Sequence, residues 1–192
     1  PSLPILVVGA GPAGLAAMAA LRRAGIDFTA VESHQRVGGI WDASNPTSSV
    51  YEGMRTVTSR YTTHLGRPMP DDWPIYLPHE QAHEYLKRFC SDEQLTDRIR
   101  FGTTFEDASK TDAGTWRARL RKDDDGRQHE ETFRAIIFAT GGHNRANPSF
   151  PEELRDQAAG CGLRVLHSAD YRSPGEFANQ RVLIVGIGNS GS

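Results

Sequence analysis

Two glycine-rich loops bracket this 192-residue chain, Gly9-Ala-Gly11-Pro-Ala-Gly14 near its start and Gly186-Ile-Gly188-Asn-Ser-Gly191 at its end. Each follows a short apolar run of strand type, Ile5 to Val8 and Val182 to Val185. In a β-loop-α unit the first glycine permits a tight turn and the second lets backbone N–H groups approach a pyrophosphate. The third lets the following helix pack on its strand. Gly9, Gly11, Pro12, Ala13 and Gly14 are therefore candidate contacts of one dinucleotide, and Gly186, Gly188, Asn189, Ser190 and Gly191 of a second. Two dinucleotides point to electron transfer between a bound cofactor and a diffusible one. Only Ser192 follows the second loop, so the helix that should receive its pyrophosphate is not visible.

Between the loops the pattern is that of an α/β chain. Leu3 to Val8 reads as a buried parallel strand, Pro12 to Ala24 as an Ala-rich helix ended by Gly25, and Ile26 to Val31 as the next strand. Glu32 follows, with residues 15–31 separating it from Gly14, the spacing of one βαβ unit. A carboxylate there can accept both ribose hydroxyls and would repel a 2′-phosphate, which favours FAD or NAD over NADP at this first site. Ser33 to Pro78 is irregular and contains Arg36-Val-Gly38-Gly39-Ile40-Trp41. Paired glycines allow close backbone approach, Arg36 can neutralise phosphate charge and Trp41 can cover an aromatic ring.

Farther along, His79 to Cys90 is a packing helix with Ala82, Tyr85, Leu86 and Phe89 on one face. Arg98 to Phe105, Thr115 to Arg121 and His129 to Phe133 read as a small antiparallel meander, with Asp123 to Gly126 as its last turn. Ala135 to Ala139 returns to the parallel sheet and ends in Thr140-Gly141-Gly142, where Thr140 and Gly141 are further cofactor candidates. Asn147 to Pro151 is a connector into a second unit. Leu163 to Leu166 and Arg181 to Val185 are the strands expected there, with Tyr171 to Gln180 as loop or short helix between them.

Composition excludes several function classes. A net charge of −2, from 22 basic and 24 acidic residues, offers no general attraction to nucleic acid. No apolar stretch approaches the roughly 20 residues of a membrane helix, and no signal-type leader precedes the first strand, so a cytoplasmic location is expected. Cys90 and Cys161 form no C-x-x-C pair, which argues against a redox dithiol. His79 and His83 stand at i, i+4, but no third ligand is spaced to complete a metal site, and a solvated helix start is the expectation. No nucleophile elbow is present. That fits flavin chemistry, in which the cofactor carries the reaction.

These residues resemble the N-terminal part of the flavin-containing monooxygenases and the related Baeyer–Villiger enzymes, the class B flavoprotein monooxygenases. The resemblance rests on Val8 to Leu15, Glu32, Val37 to Trp41, Pro70 to Pro74, Phe138 to Gly141, His167 to Tyr171 and the second glycine loop. It implies a Rossmann-like FAD-binding domain over residues 1–148, with a parallel sheet and a small antiparallel meander, and the start of a second Rossmann-like NADP(H) domain over 149–192. It implies FAD at the first loop and NADP(H) or NAD(H) at the second, with dioxygen and a small nitrogen, sulfur or carbonyl compound as substrates, oxygenated through a C4a-hydroperoxyflavin. Thr58 and Ser59 would then lie near the flavin ring.

Three departures from the family pattern stand out. The family motif F-x-G-x-x-x-H-x-x-x-[YF] keeps His167 and Tyr171 but has Cys161 for Phe and Leu163 for Gly. Met54 to Thr58 puts Val57 where the family carries an Asn that meets flavin and nicotinamide. Members of the family also continue through a complete NADP domain and a C-terminal return. The chain is thus either a fragment or a short protein whose site closes by self-association or another route. Two alternatives to a monooxygenase stay open: a flavin-binding module without turnover, and an oxidoreductase that releases peroxide.

Overall fold

The structure is a computed structural model that describes residues 2–142 and 152–191. Its centre is a four-stranded parallel sheet. The first strand, β1 (Ile5–Val8), is buried along its whole length because it packs on both faces. Ile5 and Val7 join Leu15, Met18 and Phe89 in one apolar cluster, while Leu6 and Val8 join Val31, Leu120 and Phe133 in another. A continuous apolar run is what such a two-sided strand requires.

Helix α1 (Pro12–Arg23) follows, with Gly11 as its N-cap and Pro12 in its first turn, where a missing N–H costs nothing. Gly25, at φ +66°, ends it and turns the chain into β2 (Phe28–Glu32). A 3₁₀ turn over Gly39–Trp41 and the short helix α2 (Arg60–Thr63) interrupt the long irregular stretch. That stretch is held by specific bonds: the Thr56 N–H donates to Leu77 O at 2.9 Å and the Arg60 N–H to Ile75 O at 2.7 Å. The buried Arg60 guanidinium donates to Pro70 O at 2.6 Å.

The packing helix α3 (His79–Asp92) buries Ala82, Tyr85, Leu86 and Phe89 as the 3.6-residue spacing predicts, together with Cys90. Burial pushes the Cys90 thiol pKa up, as for a small core residue. Glu93, just past α3, ties this layer to α1 and the loop. Hydrogen bonds from Arg23 and Arg67 hold its carboxyl below the usual range.

The segment expected as one strand over Arg98 to Phe105 is two. β3 (Ile99–Phe101) pairs in parallel with β2, and β4 (Thr103–Lys110) opens a separate antiparallel sheet. Gly102, at φ +58°, makes the break, and the Gln35 amide nitrogen lies 2.5 Å from where its Cβ would stand. The second sheet continues through β5 (Trp116–Lys122) and β6 (Gln128–Phe133), in the order β4-β5-β6. It packs Ala118, Leu120 and Phe133 onto the sheet face that α1 and α3 leave open. β7 (Ala135–Phe138) then pairs in parallel with β1, giving the order β3-β2-β1-β7.

Beyond the parallel sheet, the chain differs from expectation. The connector over 147–151 lies outside the described residues. Helix α4 (Glu152–Gly160), which the sequence did not suggest, comes next. Leu163 to Leu166 and Arg181 to Val185 form no strands, and single 3₁₀ turns cover Ser168–Asp170 and Pro174–Phe177. The physical reason is pairing. Among the described residues no strand lies beside either segment to complete a ladder, and Leu183 stays 87% exposed.

The interface between the two sheets should be sensitive to loss of a core side chain. Leu120→Ala, which empties a fully buried site there, is expected to cost about 2–5 kcal/mol of stability. Urea unfolding followed by tryptophan fluorescence checks this.

Candidate functional site

The first glycine loop sits at the C-terminal end of β1, between the ends of β2 and β7. Gly9 has φ +104°, and a Cβ there would stand 2.5 Å from Ala139 O. Gly14 is closed to any side chain because its Cβ would fall 1.9 Å from Gly9 O. The first and third glycines therefore answer to packing against β7 and against the loop itself. Ala139, next to the predicted Thr140 and Gly141, closes the space at Gly9 and makes ordinary contact with Gly14. Its N–H donates to Val8 O at 2.8 Å, which keeps it there. Thr140 and Gly141 themselves are exposed at the strand end.

At the N-terminus of α1 no side chain caps the helix and no acid occupies the first turn. That leaves backbone N–H donors and the positive end of the helix dipole for an anion. Pro12 and Ala13 form this first turn, and Ala13 is exposed.

Glu32 is buried beneath the loop. One carboxylate oxygen accepts the Ala10 N–H at 2.7 Å, and the other accepts the His34 N–H at 2.8 Å and the Ser33 hydroxyl at 3.3 Å. The acid thus holds the glycine loop and the chain after β2 together. The oxygen bonded to Ala10, with one donor, retains lone-pair capacity for another, such as a ribose hydroxyl.

The second pair of glycines closes over the first loop. Gly38, at φ +128°, donates its N–H to Ala10 O at 3.0 Å, and a Cβ on Gly39, at φ +58°, would lie 3.1 Å from the Gly11 Cα. Two glycine turns in contact form a cradle that side chains would fill. Its donors and its lack of acidic groups at the helix end fit a dinucleotide pyrophosphate. Ile40 and Trp41 complete the 3₁₀ turn, and the Ile40 carbonyl accepts the Ser48 hydroxyl at 2.6 Å. Trp41 lines a small cavity of about 30 Å³ with Pro12, Thr63 and Tyr85, so α2 and the glycine loop share one wall. Thr58 and Ser59 reach this wall only through α2: the Thr58 and Thr63 hydroxyls lie 2.7 Å apart, and Ser59 is the N-cap residue of α2.

Arg36 has a partner other than phosphate. It grips Asp42 with Nε at 2.9 Å from one carboxylate oxygen and Nη2 at 2.8 Å from the other. Asp42 is almost fully buried and also accepts the Ser44 N–H and hydroxyl, with His34 Nε2 at 3.2 Å. Burial works to raise its pKa. The Ser44 hydrogen bonds, with the charges of His83 and Arg36, overcome that and lower it. This hub was not legible in the sequence, since Asp42 belongs to no motif that names it. Its one signal is position, directly after the Gly-Gly-Ile-Trp turn it supports.

The second loop repeats the first in miniature. Gly186 has φ +113°, and a Cβ on Gly191 would fall 2.4 Å from Gly186 O, the same self-contact that closes Gly14 on Gly9. Gly188, Asn189 and Ser190 are exposed between them. The turn geometry is thus local, present without a paired strand before it. Upstream, the segment carrying His167 and Tyr171 docks on the first unit. The Glu52 N–H donates to Arg172 O at 2.8 Å, the Ser173 hydroxyl to Glu52 at 2.7 Å, and the Tyr51 and Tyr171 rings stand 5.2 Å apart. Cys161 and Leu163, the two departures from the family motif, are exposed and lie outside this contact.

The chain is also similar to known proteins. A family model described as flavin-binding monooxygenase-like matches residues 3–192. Flavin-containing monooxygenase 3 of Macaca mulatta is 30% identical over 97% of the chain, which covers 36% of that protein. The chain therefore spans about a third of the length of such relatives. Among solved structures, S-allyl-L-cysteine S-oxygenase from Allium sativum superposes with a TM-score of 0.75 at 23% identity, over 92% of this chain and 44% of that one. An oxidized steroid monooxygenase bound to NADP aligns with a TM-score of 0.58 at 27% identity, over 73% of this chain and 26% of that one.

The Asp42 hub carries a pH signature. Its folded pKa lies below the ordinary value of 3.8, so its contribution to stability is complete above that value and is lost as pH falls through the lower folded one. Asp42→Asn should destabilise the chain near neutral pH, and its gap to the parent should narrow below about pH 4. Urea midpoints of both proteins, measured on either side of that value, check the sign.

Proposed function

The chain belongs to the flavin-binding monooxygenase-like family, and from that premise we propose that it carries the FAD site of an NAD(P)H-using monooxygenase acting on a small nitrogen, sulfur or carbonyl compound. The observation that carries this reading is the contact of the two glycine turns, Gly38–Gly39 on Ala10–Gly11, above an uncapped helix N-terminus. Gly9, Gly11, Pro12, Ala13 and Gly14 would hold the pyrophosphate by backbone donors, Glu32 the adenosine ribose, and Gly38 to Trp41 the cofactor toward its ring. Thr140 and Gly141 close the far side at the end of β7. Arg36 acts one step removed, by fixing Asp42 under the turn. Bound flavin would supply two-electron transfer and oxygen activation; the protein's part is to orient it and to admit the nicotinamide.

Gly186 to Gly191 would receive that nicotinamide cofactor's pyrophosphate. Their exposure, and the unpaired segment before them, favour a second reading in which the chain binds flavin but does not turn over by itself. Val57 favours a third. It is 65% exposed and offers no hydrogen bond where the family pattern has an amide, as in an oxidoreductase that releases peroxide.

One series of measurements separates these. FAD added to the colourless chain should give a tight yellow complex, and anaerobic NADPH should bleach it. Oxygen with a sulfide should then yield sulfoxide. Bleaching with peroxide as the sole product favours the peroxide-releasing reading, and a yellow protein that NADPH does not bleach favours the binding module. Failure to take up FAD overturns the assignment.

A further inference from the structure

His83 meets the cofactor cradle from below. It stands on α3 next to the core face of Ala82 and Leu86, and its side chain is 14% exposed. Its Nε2 lies 2.9 Å from Val37 O. A carbonyl can only accept, so Nε2 carries the hydrogen and donates. The imidazole also occupies the space a side chain at residue 38 would need, with Cδ2 at 2.7 Å and Nε2 at 2.9 Å from the position of a Gly38 Cβ. Its Nδ1 is 3.9 Å from Asp42, too far for a hydrogen bond. The ring therefore acts on Val37 and Gly38 through one donated bond and through its shape, and on Asp42 by charge.

What it holds is the segment that touches the first loop. Val37 precedes Gly38, whose N–H donates to Ala10 O, and Gly39, which abuts Gly11. Without the donor, Val37 O would lose its partner beside a turn already at positive φ. Without the ring, the space over Gly38 would open and the turn could lift away from the glycine loop.

Resting on the FAD assignment above, we propose that His83 is a positioning residue of the flavin site. It clamps the Gly38–Gly39 turn onto Ala10 and Gly11 by its Nε2–H bond to Val37 O and by ring packing on Gly38.

Two variants divide the donor from the bulk. His83→Phe keeps a ring and removes the donor, while His83→Gln restores an N–H donor with less volume. FAD titration followed by flavin fluorescence, with the thermal midpoint of each apoprotein, is the test. His83→Phe is expected to weaken FAD by about tenfold, the size of one ordinary hydrogen bond, and His83→Gln to recover binding to within about threefold of the parent. The two apoprotein midpoints should agree within about 5 °C. A His83→Phe protein that binds FAD as the parent does would overturn the role. So would FAD losses that merely follow the apoprotein midpoints. A parent chain that takes up no FAD overturns the underlying assignment as well, which distinguishes the two failures.

Discussion

A buried carboxylate at the end of one strand accepts a backbone N–H from the loop after its neighbour, and the rest of the site is arranged around that bond. Glu32 and Ala10 are 22 residues apart, yet their 2.7 Å contact fixes how the chain leaves both β1 and β2. It works because parallel pairing sets Val8 beside Val31, so the two strands end within one residue of each other. Once the glycine loop is held there, the N-terminus of α1 has one direction and the Gly38–Gly39 turn has one surface to rest on. A buried charge needs such partners. Glu32 finds three donors within two residues of the strand ends.

Asp42 repeats the device on the other side of the turn. It gathers donors from Arg36, Ser44 and His34 while almost fully buried, and the turn is locked between two carboxylates, one at each end. The backbone around it is unusually close, and residues 9, 14, 38 and 39 have no room for a side chain without a clash. A Cβ at Gly9 would meet Ala139 O, one at Gly14 would meet Gly9 O in the same loop, and one at Gly39 would meet the Gly11 Cα. At Gly38 it would meet the His83 ring instead. The cradle is a product of packing as much as of sequence motif.

How much of this could be read beforehand differs by element. β1, α1, β2, α3 and β7 were legible because each has a clear period or apolar run and a glycine or proline at its border. The meander was legible as strands but not in its division: Gly102 looks like any other glycine until its neighbour Gln35 is in place. The strands expected at 163–166 and 181–185 failed for a different reason. An apolar run states that a segment can pair, but pairing needs an edge alongside it, and among the described residues no strand lies beside either segment. Helix α4 went unseen because its exposed, mixed sequence carries no strong apolar stripe. Arg36 reads as a phosphate partner from its place beside the paired glycines; its contact with Asp42 is not foreseen there.

The sequence by itself determined the glycine loops, the acid one βαβ unit downstream and the α/β character, because these depend on local steric limits and on spacings that survive without tertiary context. The self-contact of Gly191 with Gly186 shows this, since that turn forms with no paired strand before it. Only the tertiary structure decided that Glu32 and Asp42 are buried hubs, that Ala139 seals the first loop and that His83 rests on Gly38. Each of these joins residues many positions apart, and the burial that makes such a contact strong arises only when the sheet, α3 and the long loop come together.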